Sequence, residues 1–139
     1  MALFLAPLVA GCALACEEVG CTSTLEVVFH TGALDDGEYR AEADFGGTLA
    51  EGISFDLDGG HAYAPSDAMQ TVSYDGNDVV VTFALGTAEP ADQVAVALLD
   101  VWGDAVVQGV VEPVWSEPWY PNGKACDDAG CVSASVSVE

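Results

Sequence analysis

Positive charge is almost missing from this chain: Arg40 and Lys124 face 23 Asp and Glu, for a formal net charge of −21. Two cations cannot neutralise a phosphate backbone, and the field of the whole molecule repels polyanions, so nucleic acid and anionic lipid headgroups are excluded as direct partners. Histidine is equally scarce. His30 and His61 are the only two, and neither stands beside a Ser, Cys or Asp at the spacing of a catalytic motif. There is no nucleophile elbow, no zinc-type His pair, and no GxGxxG after a strand to cradle phosphate. Close carboxylate pairs are inevitable among 23 acids and therefore mark no active site by themselves. The chain is expected to be non-enzymatic. A membrane-spanning run is also lacking, because Met1 to Gly11 holds only eleven uncharged residues, whereas a spanning helix takes about 20.

What is present is apolar sequence in the wrong rhythm for helices. The chain is 51% hydrophobic, too rich in Val, Leu and Phe for a disordered acidic polymer. From Thr24 onward apolar residues alternate with polar ones, and the segments end at Gly-rich or Asp-Gly turns. Leu25, Val27 and Phe29 share a face; so do Tyr39, Ala41, Ala43 and Phe45, then Ile53, Phe55 and Leu57, then Val79, Val81, Phe83 and Leu85, and finally Val132, Ala134, Val136 and Val138. Asp75-Gly76-Asn77 and Gly103-Asp104 predict two hairpins, Met69–Tyr74 with Asp78–Leu85 and Val94–Trp102 with Ala105–Val111. About eight one-faced strands joined by short turns require two sheets packed face to face, which predicts an all-β sandwich over 24–139; a small antiparallel barrel is the alternative.

The N-terminal run ends in Leu8-Val9-Ala10-Gly11-Cys12. This string resembles the bacterial lipobox, in which small residues precede a cysteine that becomes lipidated and forms the mature N-terminus. Its position, at the end of an apolar run of signal-peptide length, is where a cleavage site belongs. The resemblance implies a signal peptide at 1–11, lipidation of Cys12, a linker at 12–23, and attachment to a membrane through the lipid. Ala13 after the lipid carrier points to the outer membrane by likeness to known lipoprotein sorting. No positive charge precedes the run, so the natural start is expected upstream of Met1.

Removing Cys12 leaves Cys16, Cys21, Cys126 and Cys131, an even number suited to two disulfides in an exported chain. They form a repeat, Ala15-Cys16-Glu17-Glu18-Val19-Gly20-Cys21 and Ala125-Cys126-Asp127-Asp128-Ala129-Gly130-Cys131, each copy directly preceding a strand-like segment. Structural zinc is disfavoured by the spacing and by flanking acids that raise thiol pKa values. Sequence cannot choose the connectivity. The local pairs Cys16–Cys21 and Cys126–Cys131 are the expectation, because Gly20 and Gly130 sit where a tight loop needs them and Cys16 lies near the lipid. The crosswise pairs Cys21–Cys131 and Cys16–Cys126 are the alternative, since parallel first and last strands would bring the two segments into register and close much longer loops.

The lipobox, the Cys-acidic-acidic-x-Gly-Cys segment before the first strand, Leu34-Asp35-Asp36-Gly37-Glu38-Tyr39, and Tyr120-Pro121-Asn122-Gly123 before the second cysteine pair together resemble a loose group of bacterial lipoproteins. That resemblance implies an immunoglobulin-like sandwich and carries no activity with it.

Two ligand sites suggest themselves. Asp56-Leu57-Asp58-Gly59-Gly60 and Asp75-Gly76-Asn77-Asp78 place carboxylates closely enough to wrap oxygens around calcium, the one cofactor candidate, although Asp-Gly and Gly-Gly also serve as plain strand-ending turns. Trp115, Trp119 and Tyr120, interleaved with three prolines between Glu112 and Pro121, could grip a protein or stack on a glycan if exposed together; buried, they would close one end of the core. The expected function is an envelope-anchored binding or adhesion module, the alternative being a structural lipoprotein whose acidic coat, with bound calcium, keeps it soluble and stable.

Overall fold

A computed structural model describes residues 21–47, 52–65, 70–86, 88–121, 123 and 130–139. Nine strands and no helix occur among them: β1 (Thr24–His30), β2 (Gly37–Asp44), β3 (Ile53–Asp58), β4 (His61–Tyr63), β5 (Thr71–Tyr74), β6 (Asp78–Ala84), β7 (Val94–Asp100), β8 (Ala105–Val111) and β9 (Ser133–Val138). They form a four-stranded sheet, β5-β6-β1-β9, and a five-stranded sheet, β4-β3-β2-β7-β8. The sheets do not close into a barrel, so the sandwich is the architecture and the barrel alternative falls away.

Alternation is what builds it. Leu25, Val27 and Phe29 of β1, Val79, Val81 and Phe83 of β6, Ile53, Phe55 and Leu57 of β3, and Val94, Val96 and Leu98 of β7 are all buried between the sheets. Each strand hides every second side chain because the pleat sends successive residues to opposite faces. β9 is the weakest case. Of its inward-facing residues only Val138 is buried, while Ala134 and Val136 are half-buried, because β9 is an edge strand with one neighbour.

One strand more than expected is present. β4 is only three residues long, too short for alternation to register, and follows β3 through Gly59-Gly60, whose φ angles of 61° and 82° suit a two-residue hairpin turn. Both expected hairpins form, although β7 stops at Asp100 and leaves Val101 and Trp102 in the turn.

The strand order is that of a variable-type immunoglobulin sandwich if β1 to β8 are lettered B, C, C′, C″, D, E, F and G. β9 occupies the place beside B that strand A normally fills, but it runs parallel to β1, with Thr24 opposite Ser133 and Phe29 opposite Val138.

This parallel pairing corrects the expected disulfides. Cys21 is bonded to Cys131, with Cα atoms 6.1 Å apart and a sequence separation of 110. The bond excludes both local pairs, since each needs one of these two sulfurs. The two cysteines meet because they lead directly into neighbouring parallel strands. Gly130 is needed for a different reason than a tight cysteine loop. Its φ is +65°, and a Cβ there would stand 2.8 Å from the Trp119 carbonyl oxygen and 2.9 Å from the Tyr120 ring. It lets Trp119 and Cys131 pair through reciprocal backbone hydrogen bonds of 2.8 Å. Cys12, Cys16 and Cys126 lie outside the described residues, as does the whole segment 1–20.

Candidate functional site

β1 runs away from Cys21, β2 returns, and the strand directions gather the β1–β2 loop, the β3–β4 turn, the β5–β6 turn and the β7–β8 turn at the end of the sandwich opposite the disulfide. The seven residues of β1 separate the two ends by about 23 Å.

The loop end is stitched by acidic side chains acting as acceptors. The Gly59 amide donates to Asp36 Oδ1 at 3.1 Å, tying the β3–β4 turn to the β1–β2 loop. The Tyr39 hydroxyl donates to the Asp35 carbonyl at 2.7 Å, and the Leu34 amide donates to the Tyr74 hydroxyl at 2.8 Å. Partial burial, with Asp35 and Asp100 next in weight, holds the Tyr39 phenol above its ordinary value of 10.0. The β7–β8 turn is fixed by Asp100, whose Oδ1 accepts from the Trp102 amide at 2.9 Å and the Asp104 amide at 3.0 Å. A side chain that caps its own turn in this way relieves the backbone of unpaired donors and stiffens the tip.

At this stiff tip Trp102 is 83% exposed, with Val101 beside it also exposed. The outer face of the five-stranded sheet continues the apolar surface. Val106 and Val110 of β8 point outward, Val110 at 66% exposure, next to Ala95, Ala97 and Leu99 of β7. Tyr63 of β4 stands on the far side of the same face. Of seven large apolar residues exposed among the described ones, five therefore belong to this face and its tip. The two others are Val114 and Trp119.

Between the apolar β7–β8 half and β4 runs a polar band on β2 and β3 that presents Glu38, Arg40, Glu42, Ser54, Asp56 and Asp58. The Arg40 guanidinium donates to Glu42 Oε1 at 3.0 Å and to Ser54 Oγ at 3.1 Å. A recess of about 260 Å³, lined by Glu38, Arg40, Ser54, Leu99, Asp100 and Val101, separates the apolar and polar halves.

The residues singled out in the sequence fall elsewhere. Trp115 is half-buried against the core and donates from Nε1 to the Ala91 carbonyl at 2.9 Å, so it helps close the disulfide end. Trp119 is 60% exposed beside Cys131, and Tyr120 is half-buried. These three rings do not make one exposed patch. Among the calcium candidates, Asp75 Oδ1 accepts from the Asn77 amide at 2.9 Å and the Asp78 amide at 2.8 Å, which holds its carboxyl below the ordinary value of 3.8. Asp78 Oδ1 lies 2.8 Å from His30 Nδ1. Asp56 and Asp58 stand on β3 opposite Tyr63 and His61. Among the described residues no group of three or more His, Cys, Asp or Glu is placed to hold a metal ion.

Trp102 escaped notice in the sequence because Val94–Trp102 reads as one continuous apolar strand. The signal was its position directly before Gly103-Asp104: a tryptophan in a turn has no sheet to cover it. No protein-family model, curated protein or solved structure matches the chain.

Proposed function

We propose that this protein is an exported, lipid-anchored and non-catalytic binding module that works through the β7–β8 tip and the outer face of the five-stranded sheet. The observation that carries the reading is the gathering of Trp102, Val101, Val106, Val110 and Tyr63 on one side of a molecule with a net charge of −21. Scattered exposed apolar residues are ordinary, whereas four of these five on the single β7–β8 hairpin mark an interaction surface. Position supports it. A chain tethered through Cys12 enters the sandwich at Cys21, which leaves Trp102 at the end farthest from the tether. The loops that correspond to β1–β2, β3–β4 and β7–β8 carry the recognition residues in variable immunoglobulin domains, a likeness of architecture alone. An acidic coat with no interaction role would not need aromatic and branched apolar side chains on one face.

The test is a screen of the purified chain against arrayed glycans and extracellular proteins, with Trp102→Ala and Trp119→Ala in parallel. Binding that Trp102→Ala abolishes and Trp119→Ala retains is the expected result. Binding indifferent to Trp102 removes the reading.

A further inference from the structure

The outer face of the five-stranded sheet is divided in a way that specifies a partner. Its β7–β8 half is uncharged and mostly apolar, with Ala95, Ala97 and Leu99 on β7 and Val106 and Val110 on β8, where Gln108 between the two valines is its polar member. Its β2–β3 half is acidic, and the one cation in it, Arg40, is already engaged by Glu42 and Ser54. Register brings the halves into direct contact: Arg40 stands opposite Leu99 and Glu42 opposite Ala97. The recess between Leu99 and Glu38 lies along this boundary.

A partner that covers both halves must bury apolar surface while neutralising carboxylates. A second copy of this chain fails the second condition, since it brings another −21 to the contact. Resting on the binding-module reading above, we infer that the outer face of the five-stranded sheet docks a cationic, amphipathic segment of another protein, with apolar side chains on Val106, Val110 and Trp102 and Lys or Arg side chains over Glu38, Glu42, Asp56 and Asp58. The charged half speeds and orients the encounter, and the apolar half supplies the area removed from water.

The probe is a synthetic peptide of alternating lysine and leucine, titrated into the intact chain by calorimetry and by NMR of the tryptophan indole and valine methyl groups. The decisive variant is Val110→Glu, because two explanations predict opposite signs. General attraction to an acidic coat makes an added carboxylate neutral or favourable. Docking on this face makes it weaken binding about tenfold or more, as it replaces a buried valine contact with a desolvated charge. Val114→Glu adds the same charge at a residue 88% exposed elsewhere on the surface and is expected to cause no loss. Val110→Thr, which keeps shape and strand preference, is expected to weaken binding about threefold and serves if Val110→Glu does not fold. Perturbation of the Trp102 and Val110 signals, with this order of variants, supports the inference. Equal effects of Val110→Glu and Val114→Glu overturn it. A glutamine-leucine peptide that binds the same face as tightly overturns the cationic partner while leaving the binding-module reading standing. A dimer in sedimentation that Val110→Glu dissociates makes the face a self-contact and overturns both.

Discussion

Gly109 of β8 and Val138 of β9 meet where the two sheets come together at one side: a Cβ on Gly109 would stand 2.9 Å from the Val138 Cγ2 methyl. Edge strands of two different sheets are thus brought close by a missing side chain on one and a buried valine on the other. Gly109→Ala is expected to destabilise the fold by about 1–3 kcal/mol, the range for overfilling a packed site. Combining it with Val138→Ala should cost less than the sum of the single changes, because the second removes the methyl that the first collides with. Denaturant unfolding of the four chains checks this; strict additivity would show that the two residues do not press on each other.

Bonding of Cys21 to Cys131 closes a loop spanning 110 positions. In the chain-entropy model a loop of that size contributes up to about 4.7 kcal/mol. Peptide mapping without reduction, after cleavage between the two residues, is expected to join the N-terminal and C-terminal pieces through these sulfurs. Cys21→Ser should lower the denaturant midpoint without changing the fold of the sheets. Recovery of a Cys126–Cys131 or Cys16–Cys21 peptide instead would contradict the pairing.

Tyr39 should titrate late. Its phenol is held above 10.0 by burial first and by Asp35 and Asp100 next, so its neutral form is favoured in the folded state. A folded value above the unfolded one contributes stability that is fully present below about pH 10 and is lost as pH rises through the folded value. Ultraviolet titration is expected to show a delayed phenolate that is absent in Tyr39→Phe. That variant also loses the bond to Asp35, which should cost about 0.5–1 kcal/mol near neutrality.

Asp75 responds in the opposite direction. The Asp78 amide, followed by the Asn77 amide, favours its ionised form and lowers its pKa below 3.8. Its contribution is present above the unfolded pKa and fades as pH falls through the folded one. Asp75→Ala should therefore lower the melting temperature at neutral pH, with the difference closing in strong acid. Because Asp75 is committed to backbone amides and Asp78 to His30, calcium is expected to raise the melting temperature no more than sodium at equal ionic strength, both acting by screening a net charge of −21. A much larger calcium effect would reveal a specific site.

The core was legible wherever a strand is covered on one face by the opposite sheet. Leu25, Val27, Phe29 and their counterparts in β3 and β6 alternate because one side of each strand is dry. Legibility failed where something other than burial determines the structure. β4 depends on a two-glycine turn and pairing with β3, which leave no pattern in three residues. The disulfide partner depends on which strands lie side by side, a long-range fact that spacing within one cysteine segment cannot report. The candidate site was hidden for a related reason. Outward residues of β7 and β8 other than Gln108 are also apolar, so both faces of that hairpin look like core in sequence, and only the sheet order shows that no other strand among the described residues covers the outer one.

The parallel pairing of β1 with β9 also sets an order in time. Of the described strands β1 is synthesised first, yet both of its partners, β6 and β9, are made later, and β9 is the last of them. β2 can find β3, and β7 can find β8, as soon as each pair is synthesised, but β1 has to wait with an unpaired edge until residues 133–138 have followed it. Its capture by β9, joined to it at the adjacent Cys21–Cys131 bond, is therefore a late event: a chain that stops short of Cys131 cannot form that bond, and once formed it holds the segment that leads into β9 beside the start of β1.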